Sequence, residues 1–283
     1  MKVGANSFIW TESFGLNNFD VLQRIAAAEL DGIEIGILEP LSFPAKAIRT
    51  ELQRLGLSST TCGALPPGSS LIAADREARQ RATDHIAATL EATAELGSTL
   101  TCGPFFAPVG QFSGVRRTEE EWRRAVEGWQ QIAPKAESLG IDVAIEPLNR
   151  FETYFINTAE DGSALCDAID HPSVGLLIDT FHANIEEKSI GRAIRATGKN
   201  LKHLHTCEND RGIPGTGTVH WQEFFDAVYE TKYDGWMVIE SFGFNLGILS
   251  AAASIWRDVA PKPEDIPFEG AKFIRKQLLR SQA

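Results

Sequence analysis

The chain has 283 residues, 43% of them hydrophobic and 23% charged, enough to bury a large core as one α/β barrel or two smaller domains. A net charge of −11 with no basic stripe to offset it argues against a nucleic acid partner. No run of eighteen apolar residues and no leader-like opening argue against a membrane partner and place the expected location in the cytoplasm, and four widely spaced cysteines without a CxxC pair suggest reduced thiols rather than a disulfide framework or a zinc knuckle.

Taken in chain order, short apolar, β-branched runs predict strands at 3–10, 32–36, 58–63, 99–103, 142–146, 175–179, 203–206 and 237–241. Helical patterns separate them, among them "NNFDVLQRIAAAEL", "REARQRATDHIAATLEATAELG", "TEEEWRRAVEGWQQIAPKAESLG" and "HWQEFFDAVYETKYDG", several of which stop at glycine as helix C-termini prefer. The mixed charges of "RRTEEEWRR" at 116–124 read as a solvated helix face. Eight strand-helix repeats without a linker predict a single α/β domain over 1–283, a (β/α)8 TIM barrel. An open doubly wound sheet is the alternative, but it would more often show a glycine-rich turn after its first strand, and "ANSFIWTESFG" is no such turn. The C-terminal "EGAKFIRKQLLRSQA" is a helix that caps the barrel or packs on a partner.

In such a barrel, chemistry sits where strands end. Four consecutive runs end on metal-ligand types: "VAIE" at Glu146, "VGLLID" at Asp179, "LKHLH" at His205 and "WMVIE" at Glu240. The intervals, 179−146 = 33, 205−179 = 26 and 240−205 = 35, are each one repeat long, so all four rise to the same face. Three carboxylates and an imidazole suit one divalent ion such as Mn²⁺, Mg²⁺ or Co²⁺. Singly, each carboxylate could equally be a helix N-cap or a salt-bridge partner, and the histidine a satisfied core group. Four in register are harder to reach by accident. Glu152, His182 and Arg211 follow in the loops leaving these strands, placed to hold a polar substrate or simply to pack the loops.

The motifs "EPLNRFET", "IDTFHANIEE", "HTCENDRGIPGTGTVHW" and "YDGWMVIESF" resemble those of the D-tagatose 3-epimerase group, which includes D-psicose (D-allulose) and L-ribulose 3-epimerases and belongs to the xylose-isomerase-like barrel superfamily. The resemblance implies that Glu146, Asp179, His205 and Glu240 bind Mn²⁺ or Co²⁺, and that Glu152, His182 and Arg211 hold the O1 to O3 end of an open-chain ketose. It also implies a homodimer or homotetramer. The early loops match less closely; they offer Phe8, Cys62, Phe105 and Phe112 as walls for the far end of the sugar, with Trp10 and Cys102 nearby, and core packing explains several of these as well.

The expected chemistry is inversion at C3 of a free ketose, with the ion polarising the C2 carbonyl and Glu146 and Glu240 acting as the two acid/bases on opposite faces of an enediolate. Aldose-ketose isomerisation, as in hydroxypyruvate or xylose isomerase, and inosose dehydration would use the same glutamates. Phosphorylated sugars are disfavoured because "CENDRGIPGTG" spends its one arginine near the metal. A metal-dependent endonuclease would need more histidines and a basic rim. A non-catalytic sugar sensor would need no paired glutamates.

Overall fold

The computed structural model describes residues 1–280. Eight parallel strands close into a barrel in sequence order, namely β1 (Lys2–Asn6), β2 (Gly32–Gly36), β3 (Ser58–Cys62), β4 (Leu100–Gly103), β5 (Asp142–Ile145), β6 (Val174–Asp179), β7 (Leu201–His205) and β8 (Trp236–Ile239). An outer ring is formed by α1 (Phe19–Ala27), α2 (Ala45–Leu55), α3 (Arg76–Leu96), α4 (Glu119–Leu139), α5 (Ala159–Ile169), α6 (Thr180–Glu186), α7 (Ile190–Thr197) and α8 (Trp221–Glu230), followed by the short α9 (Ile248–Ala252) and α10 (Asp265–Arg280). The open-sheet alternative is excluded because β1 pairs with both β2 and β8. The first strand is shorter than expected. Asn6 Oδ1 accepts the Phe8 amide at 2.8 Å and turns residues Ser7–Ile9 into a 3₁₀ helix, so the chain leaves the sheet four residues early.

The two faces of each strand bury different chemistry. Outward residues such as Ile33 and Ile35 meet the helices in one apolar layer around β1, β2, β7 and β8, and a second layer with Trp129, Phe105 and Phe106 lies under α3 to α5. Inward residues are mostly small or polar, with a small apolar cluster of Phe8, Cys62, Leu100, Cys102, Ala144 and Leu177 among them. Close approach dictates two glycines: a Cβ on Gly32 would meet the Ser58 carbonyl at 1.9 Å, and one on Gly36 would meet the Phe8 ring at 2.3 Å. Helix ends follow local chemistry. Asp75 caps α3 by accepting the Glu77 and Ala78 amides, Thr118 and Glu121 form a capping box on α4, and Gly97 and Gly140 close both helices with φ of 88° and 67°.

The "RRTEEEWRR" segment runs from the loop before α4 through its N-cap Thr118 into its first turns. Arg123 pairs with Glu120 and Glu127 at the surface, while Arg117 stacks over Trp122 at 4.4 Å. Helix α10 packs on β1 and β8 through buried Ile266 and Ile274; the last three residues of the predicted C-terminal segment lie outside the described residues. No described helix is long and apolar enough to cross a membrane.

Candidate metal centre and active site

Glu146 directly follows β5, Asp179 ends β6, His205 ends β7 and Glu240 directly follows β8. One ligand atom from each lies within 4.8 Å of all the others. The exposures are 6% for Glu146, 2% for Asp179, 1% for His205 and 7% for Glu240, so water does little to separate the charges. At an effective dielectric near 20, each carboxylate pair at this spacing repels by roughly 3 kcal/mol or more. Positive charge, or a proton on one carboxyl, must offset that repulsion.

The chain supplies part of it. Arg211 Nη1 donates to Asp179 Oδ2 at 2.6 Å and to Glu240 Oε2 at 2.9 Å. Burial opposes the charge on Asp179, but Arg211 and the nearby histidines outweigh it and hold the carboxyl well below its usual range. Burial likewise opposes an imidazolium at His205, yet Glu240 and Glu34 raise its pKa well above the ordinary value. Glu146 is left over: burial and the charge of Glu240 push its pKa well up. Two atoms of the ring, Glu146 Oε1 and His205 Nδ1, are buried without a hydrogen-bond partner. Unpaired atoms on a hard carboxylate and imidazole set are what a divalent ion would satisfy, so the four residues fit one. Asp179 is at the same time the N-cap of α6, accepting the Phe181 amide at 2.7 Å. The capping role considered from sequence is thus true of it alongside membership of the ring.

The surroundings include residues that sequence reasoning missed. Glu34, in the middle of β2, is fully buried; its Oε1 accepts from His205 Nε2 at 2.7 Å and Asn6 Nδ2 at 3.0 Å, and its Oε2 from His203 Nε2 at 2.8 Å and Thr60 Oγ1 at 2.9 Å. Burial disfavours its charge, but His205 and His203 hold the carboxyl far below the usual carboxylate range. Glu34, Cys102, His203 and His205 also lie close enough together to suggest a second ion site. Donors already saturate the Glu34 oxygens, and burial, followed by the charge of Glu34, raises the Cys102 thiol well above its ordinary pKa, so this cluster is a hydrogen-bonded floor. The signal in the sequence was a carboxylate inside "GIEIG", on the inward face with Gly32 and Gly36.

Toward solvent lie the three residues expected to hold substrate. His182 sits in the first turn of α6 rather than in a loop, because Asp179 starts that helix immediately. Its Nδ1 faces two donors, the Asn149 amide at 3.2 Å and Asn149 Nδ2 at 2.9 Å, and burial holds its pKa down to about 3, so the ring is neutral with its proton on Nε2. That nitrogen is 3.6 Å from Glu146 Oε1. Asn149 Nδ2 also donates to Glu152 Oε1 at 2.8 Å, making Asn149 a second missed residue. Burial lifts the Glu152 pKa against the pull of Arg211 and Asn149. Arg211 has the left-handed φ of 64°, and its guanidinium lies 4.1 Å from the Phe181 ring centroid and 5.3 Å from that of Phe242. Its loop is pinned by buried Glu208, which accepts from Gly215 N, Val219 N and Trp221 Nε1 at 2.8 to 3.0 Å.

The proposed wall residues divide. Phe8 stacks on Phe242 with centroids 5.8 Å apart, and Cys62 Sγ lies 3.3 Å from the Asn6 amide that also donates to Glu240 Oε1 at 3.3 Å. The other two correct the expectation. After Gly103, whose φ of 138° only glycine takes easily, the chain folds Phe105 wholly into the layer under α3 to α5. Phe112 is 49% exposed and lines an outer groove with Arg116, Arg117 and Tyr154. Trp10 packs against Phe268 on the helix side.

A closed parallel barrel with this ring at the C-terminal ends of β5 to β8 is an enzyme architecture, and its class follows from comparison. The profile of the xylose isomerase-like TIM barrel family matches residues 22–277. A "probable ketose 3-epimerase" of Synechocystis sp. is 34% identical over 281 residues, covering 98% of this chain and 96% of the relative. The D-psicose 3-epimerase of Ruminiclostridium cellulolyticum is 32% identical, covering 92% and 90%. The crystal structure of the D-allulose 3-epimerase of Methylomonas sp. in complex with D-allulose superposes with a TM-score of 0.93 at 26% identity, over 98% of this chain and 97% of that one. The chain belongs to the xylose isomerase-like barrels and, within them, to the ketose 3-epimerase group, whose members are isomerases acting on sugars.

Proposed function

We propose that the protein inverts C3 of a free ketose with the help of one divalent ion, Mn²⁺, Co²⁺ or Mg²⁺, held by Glu146, Asp179, His205 and Glu240. The observation that carries this reading is the pair of buried glutamates on separate strands, β5 and β8, in one ring with Arg211 between Asp179 and Glu240. When bound, the ion supplies positive charge that polarises the ketose carbonyl and makes the C3 proton acidic. Glu240, steadied by Arg211 and Asn6, takes the C3 proton on one face. Glu146, directly after β5 and across the barrel mouth from β8, returns a proton to the other face. In the reverse reaction the roles exchange. Arg211 and the Nε2 proton of His182 donate to substrate oxygens near the reacting carbon, and Glu152 accepts a hydroxyl. D-Psicose, D-tagatose, D-fructose and L-ribulose are the ketoses to try first, since similar proteins are named D-psicose and L-ribulose 3-epimerases and D-psicose 3-epimerases have been crystallised with D-tagatose and in the presence of D-fructose.

The test is a panel of free and phosphorylated ketoses incubated with the Mn²⁺ protein and resolved by chromatography. The expected product is the C3 epimer of a free ketose, formed only in the absence of EDTA. An aldose would replace this reading with isomerisation; binding without turnover on the whole panel would replace it with a sensor.

A further inference from the structure

Metal-ligating histidines need their second nitrogen held if the first is to point at the ion. His205 Nδ1 faces Glu240 Oε2 at 3.4 Å and Asp179 Oδ2 at 3.7 Å, and its Nε2 is fixed on Glu34 Oε1 at 2.7 Å. Glu34 has no freedom of its own: Oε2 is tied to His203 and Thr60, and Oε1 to Asn6. The same Asn6 Nδ2 reaches Glu240 Oε1 at 3.3 Å, so two members of the ring are braced from one point inside the barrel. We propose that Glu34, with Asn6 as its bridge to Glu240, is the positioning residue of this centre, setting the orientation of His205 and thereby the affinity for the divalent ion. This rests on the metal reading above. Glu34 touches neither the reacting carbon nor the ion.

The fold tolerates a direct test. In Glu34→Gln the amide oxygen can stay on His205, since the amide nitrogen there would oppose the Asn6 donor; the nitrogen then faces His203, whose unpartnered Nδ1 can take the proton instead. Shape is kept and the negative charge behind His205 is lost. The EDTA-dialysed full-length protein is titrated with Mn²⁺ followed by electron paramagnetic resonance, and the Co²⁺-loaded protein is recorded in the visible region. Glu34→Gln is expected to weaken Mn²⁺ binding by roughly 10- to 100-fold and to change the Co²⁺ spectrum. Thr61→Val, which breaks a buried Thr61–Thr93 hydrogen bond of 2.8 Å away from the ring, is expected to melt lower with Mn²⁺ affinity and Co²⁺ spectrum unchanged. Asn6→Ala carries the test if Glu34→Gln does not fold, with an expected loss of roughly threefold or more. Wild-type affinity and spectrum in the Glu34 variant, or in the Asn6 variant where it stands in, overturn the proposal. Absence of Mn²⁺ binding by the wild type overturns the metal reading itself, a result distinct from equal binding by wild type and variant.

Discussion

Glu146, Asp179, His205 and Glu240 stand at or directly after the ends of β5 to β8, whereas β1 to β4 turn Asn6, Glu34, Thr60 and Cys102 into the barrel behind them. One half presents charge at the mouth, where a sugar can reach it. The other keeps polar groups fully buried, where they reach only the backs of those side chains. The difference follows from what each group must contact. A group that meets substrate has to stand at the C-terminal end of its strand, while a group that orients a histidine needs only hydrogen-bond distance.

The contrast can be broken most strongly at the glutamates. Glu146→Gln and Glu240→Gln should each fold and lower kcat by roughly 10² to 10⁴, as loss of a general acid or base does; steady-state kinetics on the preferred ketose measures this, and near-normal turnover in either variant would remove the two-base scheme. Next comes Arg211→Met, which leaves Asp179 and Glu240 unneutralised in the metal-free protein. Removing one partner of a buried ion pair costs about 3 to 5 kcal/mol, so urea unfolding of the EDTA-treated variant should show that loss, and added Mn²⁺ should recover part of it. Asn149→Ala removes the shared donor of His182 and Glu152 and should cost about 1 to 3 kcal/mol in kcat/KM, mostly through KM. Phe112→Ala, on the outer groove, should change stability by less than about 0.5 kcal/mol and leave kcat/KM unmoved; a large effect there would return Phe112 to the sugar pocket.

The legible part of the molecule is the part with a one-dimensional signature. Strand-helix alternation predicted the closed barrel, with β2 found at its expected bounds and β3, β4 and β5 within a residue of theirs. The ring residues were visible because each ends an apolar run. Glu34 was not, since it interrupts such a run and its five partners come from β1, β3, β4 and β7, a coincidence only closure of the barrel creates. The early end of β1 was hidden in one side-chain hydrogen bond from Phe8 N to Asn6 Oδ1. Phe105 was offered as a wall because its loop is apolar and aromatic, a composition that serves equally well the core layer in which its ring is buried. Asn149 stood in plain view beside Glu146, but nothing local says that its amide reaches His182, 33 residues further on.

The most direct test of C3 inversion by two glutamates is to incubate the Mn²⁺ protein with a free ketohexose in D₂O and follow the sugar by proton and deuterium NMR. Deuterium should enter at C3 alone, in both epimers at equilibrium; with Glu240→Gln no epimer should form, and label should enter only the ketose whose C3 proton faces Glu146. Deuterium at C1 with an aldose product, or a C3 epimer formed at the wild-type rate by Glu240→Gln, would contradict it.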